Sequence, residues 1–295
     1  SKEISGDILN IDFTYESNIV DNYFVFNKEA YNNSLERVLS MTNKVKIIAE
    51  IGANHNGEMS LAKEMIEAAK ESGADYAKFQ SWKSETLIKG PWDDDSKPFF
   101  QFKNKRDFYN NAQLSDDDHF ELIAHCNKVG IDFLTTCFDR GRVDFLTSLG
   151  MKDIKIASSD ATSFGMIDDL CDNFERIIIS TGMTKLKEVD DLVRHLNAKE
   201  KDYALLHCVS MYPTPLESIS IPRLYAIRDA VGNSGDFGIS DHSLGSMFPK
   251  VAVSLGATWI EKHFTTDKEI PGPDNFMSIT PDELRDIRNF CNDFE

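Results

Sequence analysis

The stretch DFGISDHSLGSMFPKVAVSLGATWIEKHF at residues 236–264 contains two apolar runs, and a histidine closes each of them. The first run ends at His242, and the second, residues 257–260, is followed closely by His263. A helical pattern lies between the two runs, an order that predicts two parallel strands joined by a helix. Both imidazoles would then lie at carboxyl ends of strands, where α/β sheets and barrels carry their chemistry.

Apolar, β-branched runs of the same kind recur along the chain. Continuous apolar runs, rather than strict alternation, are typical of strands that are buried on both faces. Eight runs qualify: Lys46–Gly52, Tyr76–Ser81, Asp132–Phe138, Ile154–Asp160, Arg176–Gly182, Tyr203–Val209, Asp236–His242 and Ala257–His263. Helical patterns separate them, for example at Leu61–Ser72, and a last one follows at Asp282–Phe294. Eight strands that alternate with helices predict an α/β fold, a (β/α)8 TIM barrel.

A doubly wound open sheet is the alternative architecture, but no glycine-rich phosphate-binding fingerprint follows the first strand. We therefore divide the chain into an N-terminal extension at residues 1–45, with a short helix at Leu35–Met41, and a barrel at residues 46–295. Residues 83–115 form a long polar insertion that contains the acidic run Asp93–Asp95. The insertion is too long for an ordinary connection, so we expect either a lid or a mobile surface loop.

Composition excludes several classes of function. The formal net charge is −17, whereas a nucleic-acid-binding protein needs a basic face, so no nucleic-acid partner is expected. No run of about 18 apolar residues occurs, which predicts that the chain does not enter a membrane, and the N-terminus has no signal-peptide pattern. The five cysteines show no CxxC spacing and several lie inside apolar runs, which predicts reduced thiols and a cytoplasmic location.

The two histidines are candidates for a metal site. Neutral imidazoles with a carboxylate nearby, from Asp241 or Glu261, suit a divalent transition metal with open coordination positions. The alternative is that each histidine caps a strand through a hydrogen bond to the backbone. The occurrence of His242 and His263 at consecutive strand ends favours the metal.

Two lysines stand inside apolar strands, Lys78 in YAKFQS and Lys155 in IKIASS. A buried lysine is costly unless it is paired, so each needs either a protein carboxylate or a bound anion. An internal ion pair, such as Lys78 with Glu50, is one solution. A bound phosphate or carboxylate is the other, because hydroxyl groups are expected around the lysines. These hydroxyl groups belong to Thr136, Ser158, Ser180, Ser210 and Ser240.

Seven groups of motifs occur in order over residues 46–280. They are IIAEIGANHNG at 47–57, GADYAKFQ at 73–80, KIASSD at 155–160, STGM at 180–183, LLHCVSMYPTP at 205–215, GISDHSLG at 238–245, and GATWIEKHF at 256–264 with PGPD at 271–274. With these motifs the chain resembles the sialic acid synthase family, which includes N-acetylneuraminate, legionaminate and pseudaminate synthases and the spore-coat polysaccharide protein E type.

The resemblance implies a C–C bond-forming transferase that condenses phosphoenolpyruvate with an open-chain N-acyl hexosamine. The acceptor would be N-acetylmannosamine or a 2,4-diacetamido-6-deoxy analogue, and the products a nine-carbon 2-keto-3-deoxy sugar acid and phosphate. The implied cofactor is a divalent metal, Mn2+ or Mg2+, and the implied partner of the full-length form is a second copy in a homodimer. Relatives continue into a small antifreeze-like domain, which we expect to be absent here because this chain ends at Glu295.

The resemblance also implies roles for individual residues. Phosphoenolpyruvate would be held by Lys78, Thr136, Lys155, Ser158, Ser180, Ser210 and Ser240. His242 and His263 would bind the metal, with Glu261 near it, and Glu50 would handle a proton. The sugar would contact Tyr212, Asp160 and Asp274; Asp160 stands where N-acetylneuraminate synthases usually carry Glu. The expected catalytic set is Glu50, Lys78, Lys155, His242 and His263.

Two alternatives remain open at this point. Another phosphoenolpyruvate-dependent synthase of 3-deoxy-ulosonate phosphates would need a basic cluster for the phosphate of its sugar, and none is obvious near residues 212–215 or 271–274. A non-catalytic barrel that binds a sugar or a phosphorylated ligand is the other alternative. Such a barrel would be expected to lose some of the costly polar groups that this chain carries.

Overall fold

Eight parallel strands close into a barrel in the computed structural model, which describes residues 44–87 and 96–294. Each strand pairs with its neighbours in chain order, and the first also pairs with the last. The strands are β1 (Lys46–Gly52), β2 (Tyr76–Ser81), β3 (Asp132–Cys137), β4 (Asp153–Ile156), β5 (Arg176–Ser180), β6 (Asp202–Cys208), β7 (Asp236–Asp241) and β8 (Trp259–His263). The predicted (β/α)8 barrel is confirmed.

Helices cover the outside of the barrel. Those of the described residues are α1 (Met59–Glu71), α2 (Ser84–Leu87), α3 (Lys105–Ala112), α4 (Asp116–Val129), α5 (Val143–Ser148), α6 (Phe164–Asn173), α7 (Leu186–Ala198), α8 (Ile221–Val231), α9 (Met247–Ser254) and α10 (Pro281–Phe294). Helices α1 and α10 correspond to the two patterns that the sequence predicts at residues 61–72 and 282–294.

Alternation along the strands divides their side chains between two cores. Outward side chains such as Ile47, Ile239 and Ile260 join the large core beneath the helices. Inward side chains fill the amino-terminal part of the barrel and form an apolar floor: Ile48, Tyr76, Leu134, Ile178, Ala204, Leu206 and Trp259. The next inward residue on each strand lies two positions nearer the carboxyl end. Its side chain therefore lies above the apolar floor.

Several strands end earlier than their apolar runs predict. Strand β4 stops at Ile156, and residues 158–160 form a 3-10 turn beyond it. Strand β5 stops at Ser180 and β7 at Asp241, so that His242 follows its strand rather than ending it. The hydrogen-bonded ladder stops where the chain turns across the barrel mouth, although the sequence pattern continues.

The described part of the 83–115 insertion is folded rather than a featureless surface loop. Asn104 caps the start of helix α3, because its side chain accepts a hydrogen bond from the backbone NH of Asp107 at 2.8 Å. Phe108 of this helix is buried and packs against Trp82, Phe99 and Phe102. The aromatic cluster attaches the insertion to the end of β2, and a role as a lid stays a prediction.

Some sequence predictions fall outside the described residues. These are the helix at Leu35–Met41, together with nearly all of the extension at residues 1–45, and the acidic run Asp93–Asp95. Within the described ranges, no helix is both long and apolar enough to cross a membrane. The five cysteines are free thiols and all are buried.

Candidate active site

Above the apolar floor, the inward side chains become charged. Glu50 of β1, Lys78 of β2, Lys155 of β4 and Glu261 of β8 are each at most 6% exposed, and we call these four residues the charged layer. Lys78 Nζ donates to Glu50 Oε2 at 2.5 Å. The Glu261 carboxylate lies between the two ammonium groups, 3.9 Å from Lys78 and 3.8 Å from Lys155. Each buried charge therefore has an opposite charge beside it.

The two carboxyl groups of the charged layer differ in proton affinity. Burial raises the pKa of Glu50 to about 7, although Lys78 acts in the opposite direction. Burial also acts to raise the pKa of Glu261, but the charges of Lys155 and Lys78 outweigh it and lower that pKa to about 2. Burial lowers the pKa of Lys155, and repulsion from Lys78 adds to this effect. Glu50 can thus exchange a proton near neutral pH while Glu261 stays ionised, a division of roles that enzymes use for acid–base chemistry.

Hydroxyl groups join the charged layer. Lys155 Nζ donates to Ser180 Oγ at 2.6 Å, and Ser240 Oγ donates to Glu261 Oε1 at 2.9 Å. Thr136 is buried and pairs in register with Lys155. The structure therefore brings Ser180 to Lys155 and Ser240 to Glu261, and it places Thr136 beside Lys155 in the strand register.

The remaining two predicted hydroxyls meet at Gly182. Ser158 Oγ accepts a hydrogen bond from the Gly182 NH at 2.9 Å. A Cβ placed on Gly182 would lie only 2.6 Å from Ser210 Oγ, 3.0 Å from Cys208 Sγ and 3.1 Å from Ser158 Oγ. Only glycine fits this position without displacing a neighbour. Ser158, Ser210 and Cys208 are therefore close neighbours, although Ser158 follows β4 while Cys208 and Ser210 lie at and beyond the end of β6.

Sequence reasoning assigned no role to two residues at this end of the barrel. Gln80 Nε2 donates to Glu50 Oε1 at 2.6 Å and so holds the second oxygen of that carboxylate. Cys208 lies beside Gly182 and 3.9 Å from His242 Nδ1. The period-two pattern contained the signal for both, because Gln80 lies on the same inward face as Lys78, two residues earlier, and Cys208 lies on the same face as Leu206.

The two histidines lie together at the barrel mouth. The ring centroids of His242 and His263 are 5.4 Å apart, and the ring of Tyr212 lies 4.0 Å from that of His242. His242 Nδ1 is 2.8 Å from the carbonyl oxygen of Val209. A carbonyl oxygen only accepts, so this hydrogen bond places the proton on Nδ1 and leaves Nε2 with its lone pair. The backbone contact that sequence reasoning offered as an alternative thus exists, but it uses only one ring nitrogen.

His263 has features that suit a metal ligand. Its Nδ1 is buried without a hydrogen-bond partner, and burial lowers the pKa of the ring, which favours the neutral form. Glu261 Oε2 is also buried without a hydrogen bond. In residues 44–87 and 96–294, however, no three His, Cys, Asp or Glu side chains converge as a metal-binding group. The residues therefore fit a cation held by two imidazoles with its other coordination positions open.

Asp241 is not the carboxylate of this site. It projects to the outer face of β7, where its Oδ2 accepts from Lys262 Nζ at 2.9 Å. Glu261 projects inward, because it alternates with Lys262 on β8. Of the two carboxylates that the sequence offered, only Glu261 lies inside the barrel.

The predicted sugar contacts are only partly brought together. Tyr212 lies half-exposed against His242, and Asp274 Oδ2 lies 3.9 Å from His263 Nδ1. Asp160 instead accepts hydrogen bonds from Ser159 and Ser163, at 2.8 and 3.4 Å, within its own turn. No hydrogen bond or ion pair found in the described ranges joins Asp160 to Tyr212 or Asp274.

The folded insertion borders this sugar end. Gln101 Nε2 donates to the carbonyl oxygen of Pro271 at 3.4 Å, which links the insertion to the PGPD loop. Burial raises the pKa of Tyr109 on α3, and the charge of Asp274 adds to the effect. Helix α3 therefore lies close enough to the mouth of the barrel for the charge of Asp274 to affect Tyr109.

Known proteins are similar to this chain in sequence and in fold. The sequence model of the NeuB family matches residues 65–295. The N,N'-diacetyllegionaminic acid synthase of Legionella pneumophila is 39% identical over 259 residues, which are 84% of this chain and 72% of that protein. The N-acetylneuraminate-9-phosphate synthase of Drosophila melanogaster is 34% identical over 86% of this chain and 69% of its own. The crystal structure of the N-acetylneuraminic acid synthetase from Leptospira borgpetersenii has a TM-score of 0.76 and 30% identity, over 85% of this chain and 84% of that one.

Proposed function

Because this chain belongs to the NeuB family of sialic acid synthases, we propose that it condenses phosphoenolpyruvate with an N-acyl hexosamine. The products would be a nine-carbon 2-keto-3-deoxy sugar acid and phosphate. The observation that carries the proposal is the charged layer, two buried lysines and two buried glutamates at the carboxyl ends of a closed barrel. Such groups are costly to bury, and barrel enzymes carry out their chemistry at this end of the strands.

Charge supports phosphoenolpyruvate as the ligand of the charged layer. Glu50 is partly protonated near pH 7 and Glu261 is ionised. The positive charge of the two lysines is therefore not fully neutralised by the two carboxylates, which favours an anionic ligand. The phosphate and carboxylate of phosphoenolpyruvate would replace Glu50 and Glu261 as partners of the lysines. Ser180 and the backbone NH of Gly182 offer further donors. Charge-assisted hydrogen bonds of this kind hold an anion and orient it.

The proposed reaction forms a C–C bond, adds the oxygen of water at C2 and releases phosphate from C2. C3 of phosphoenolpyruvate bonds to the aldehyde carbon of the sugar, and the aldehyde oxygen takes up a proton. Water then adds at C2, and the C2–O bond to phosphate breaks as C2 becomes a ketone. Glu50 suits the removal of a proton from that water, because a base with a pKa near the working pH is effective.

We propose His242 and His263 as the residues that hold the divalent cation, Mn2+ or Mg2+. When bound, the cation polarises the aldehyde oxygen and stabilises the negative charge that develops there. The two rings lie 5.4 Å apart, and the hydrogen bond of His242 to Val209 sets the tautomer that leaves Nε2 available. The homodimer of the full-length form stays a prediction.

The acceptor that suits the mouth of the barrel is an unphosphorylated sugar. Asp274 places a carboxylate beside His263, and Tyr212 supplies an aromatic surface. A sugar hydroxyl can donate to a carboxylate, whereas a phosphate would be repelled by it. A phosphorylated acceptor is the second candidate, because several relatives are named 9-phosphate synthases.

Release of phosphate from phosphoenolpyruvate with Mn2+ tests the proposal. The acceptor panel is N-acetylmannosamine, a 2,4-diacetamido-6-deoxy analogue, N-acetylmannosamine 6-phosphate and arabinose 5-phosphate, with product masses measured in parallel. We expect turnover with an unphosphorylated N-acyl sugar and none in Lys155→Ala. Preference for a phosphorylated acceptor would replace the proposed acceptor class. Binding of phosphoenolpyruvate without turnover of any acceptor would favour the non-catalytic barrel.

A further inference from the structure

Two strands depart from the apolar character of the outer barrel surface. Outward side chains of β7 and β8 begin as apolar residues, Ile239 and Ile260, which pack beneath the helices. The next outward residues are Asp241 and Lys262, which are 4% and 2% exposed and are direct partners in the strand register. A buried ion pair therefore lies behind the sheet, directly outside the two strands that lead to the histidines.

Ser243 completes a closed network with this pair. Lys262 Nζ donates to Asp241 Oδ2 at 2.9 Å and also to the carbonyl oxygen of Ser243. Asp241 accepts from the Ser243 NH at 2.8 Å and from its hydroxyl at 2.9 Å. The residues before and after His242 are thereby tied to each other and to β8. On β8, Lys262 stands between Glu261 and His263 in sequence, so the network also holds the backbone that carries His263.

We infer that the network of Asp241, Ser243 and Lys262 positions the imidazoles of His242 and His263 and so sets the affinity of the site for a divalent cation. The inference rests on the metal role proposed above. A buried ion pair adds little stability compared with apolar residues of the same volume, so stability alone does not account for this one. Partners that hold ligand side chains in place typically change metal affinity by about 10–100-fold. We call these three positioning residues, because the side-chain hydrogen bonds found for them in the described part of the chain stay within the network.

A neutral double variant separates positioning from stability. Asp241→Asn with Lys262→Met keeps the side-chain volumes and removes both charges, so no unpaired charge is left behind. The matched control is Asp75→Asn with Arg288→Met, which removes a partly buried ion pair of 2.5 Å between Asp75, directly before β2, and α10. The measurements on each purified chain are Mn2+ affinity by electron paramagnetic resonance, the unfolding temperature without metal, and phosphoenolpyruvate affinity without metal.

We expect the Asp241/Lys262 variant to lose about 10–100-fold in Mn2+ affinity while it keeps its affinity for phosphoenolpyruvate. The Asp75/Arg288 control should keep both affinities. A folded Asp241/Lys262 variant with the Mn2+ affinity of the unsubstituted chain would overturn the inference. If that variant does not fold, Ser243→Ala serves instead; it removes one hydrogen bond to Asp241 and should weaken Mn2+ binding, and unchanged affinity there would also overturn the inference. An unsubstituted chain that binds phosphoenolpyruvate but no Mn2+ would overturn the metal role as well.

Discussion

The ammonium group of Lys78 lies 2.5 Å from the carboxylate of Glu50, and both side chains are buried inside the barrel. The internal ion pair that sequence reasoning offered as an alternative to an anion site is therefore present. The two interpretations are compatible, because an anion that enters the barrel can take the place of the Glu50 carboxylate as the partner of Lys78. The exchange would free Glu50 for proton transfer.

Replacing either buried lysine should abolish condensation. In Lys78→Ala or Lys155→Ala, turnover should fall by orders of magnitude, since each lysine supplies a contact of about 1.5–3 kcal/mol and also orients the anion. Phosphate release and titration with phosphoenolpyruvate measure the two effects. Lys128→Ala, at the exposed end of α4 that leads into β3, should behave like the unsubstituted chain. Near-normal turnover in either buried-lysine variant contradicts the anion site.

Glu50 should give stability a specific dependence on pH. Burial raises its pKa from 4.5 to about 7, so between these values the folded chain holds a proton that the unfolded chain has released. The free energy of unfolding should therefore fall as pH rises through this window, by at most about 1.4 kcal/mol per pH unit from this group. Glu50→Gln should lack this contribution in urea unfolding at several pH values. The control Glu217→Gln, at an exposed position, should retain the contribution of Glu50. If the free energy of unfolding of Glu50→Gln depends on pH as it does in the unsubstituted chain, another group is responsible.

Loss of either mouth histidine should weaken Mn2+ binding severely and leave the fold intact. Stability resides in the apolar floor and the outer core, to which His242 and His263 do not belong. Affinity should also decline as the pH falls through the lowered pKa of His263, because only neutral imidazole binds a metal. Calorimetric Mn2+ titration and thermal unfolding of His242→Ala and His263→Ala test this, with His195→Ala on α7 as the control. Full Mn2+ affinity in His263→Ala would make the pair structural.

A methyl group on Gly182 should disturb the anion site without unfolding the barrel. The new Cβ would lie 2.6 Å from Ser210 Oγ and 3.1 Å from Ser158 Oγ, so both hydroxyls must shift. We expect Gly182→Ala to weaken phosphoenolpyruvate binding by at least about tenfold, the equivalent of one hydrogen bond of about 1.4 kcal/mol. In Gly141→Ala the new Cβ meets only the side chain of Asp139 at 3.3 Å, and binding should be normal. Equal affinities in the two variants would place the anion elsewhere.

The insertion should become more protected when both substrates bind. Its described part contacts the PGPD loop through Gln101 and packs its aromatic residues on the end of β2. Closure over the mouth would exclude water from the reaction. Hydrogen exchange of peptides within residues 96–113, with and without phosphoenolpyruvate and sugar, measures this, and α10 serves as the internal reference. Protection that does not change would leave the insertion a surface layer.

The barrel could be predicted from sequence because each strand carries its own signal. Strand β1 and strand β2 have the predicted bounds, and the inward positions of Lys78 and Gln80 follow from simple alternation. The predicted ends are too late for each of β3 to β7, by four residues at β4 and by one or two at the others, because the apolar pattern continues past the ladder. A pattern shows which residues can be buried, but it does not show where hydrogen bonding between strands stops.

The sequence by itself determined the fold, the family motifs and the polar residues that stand at the strand ends. Only the tertiary structure decided which of these residues meet. It placed Glu261 between Lys78 and Lys155, turned Asp241 outward to Lys262, and enclosed Gly182 between side chains from the segments that end β4 and β6. The physical reason is closure of the barrel: the height and direction of each side chain inside it depend on the registers of all eight strand pairs together, and no single segment encodes that sum.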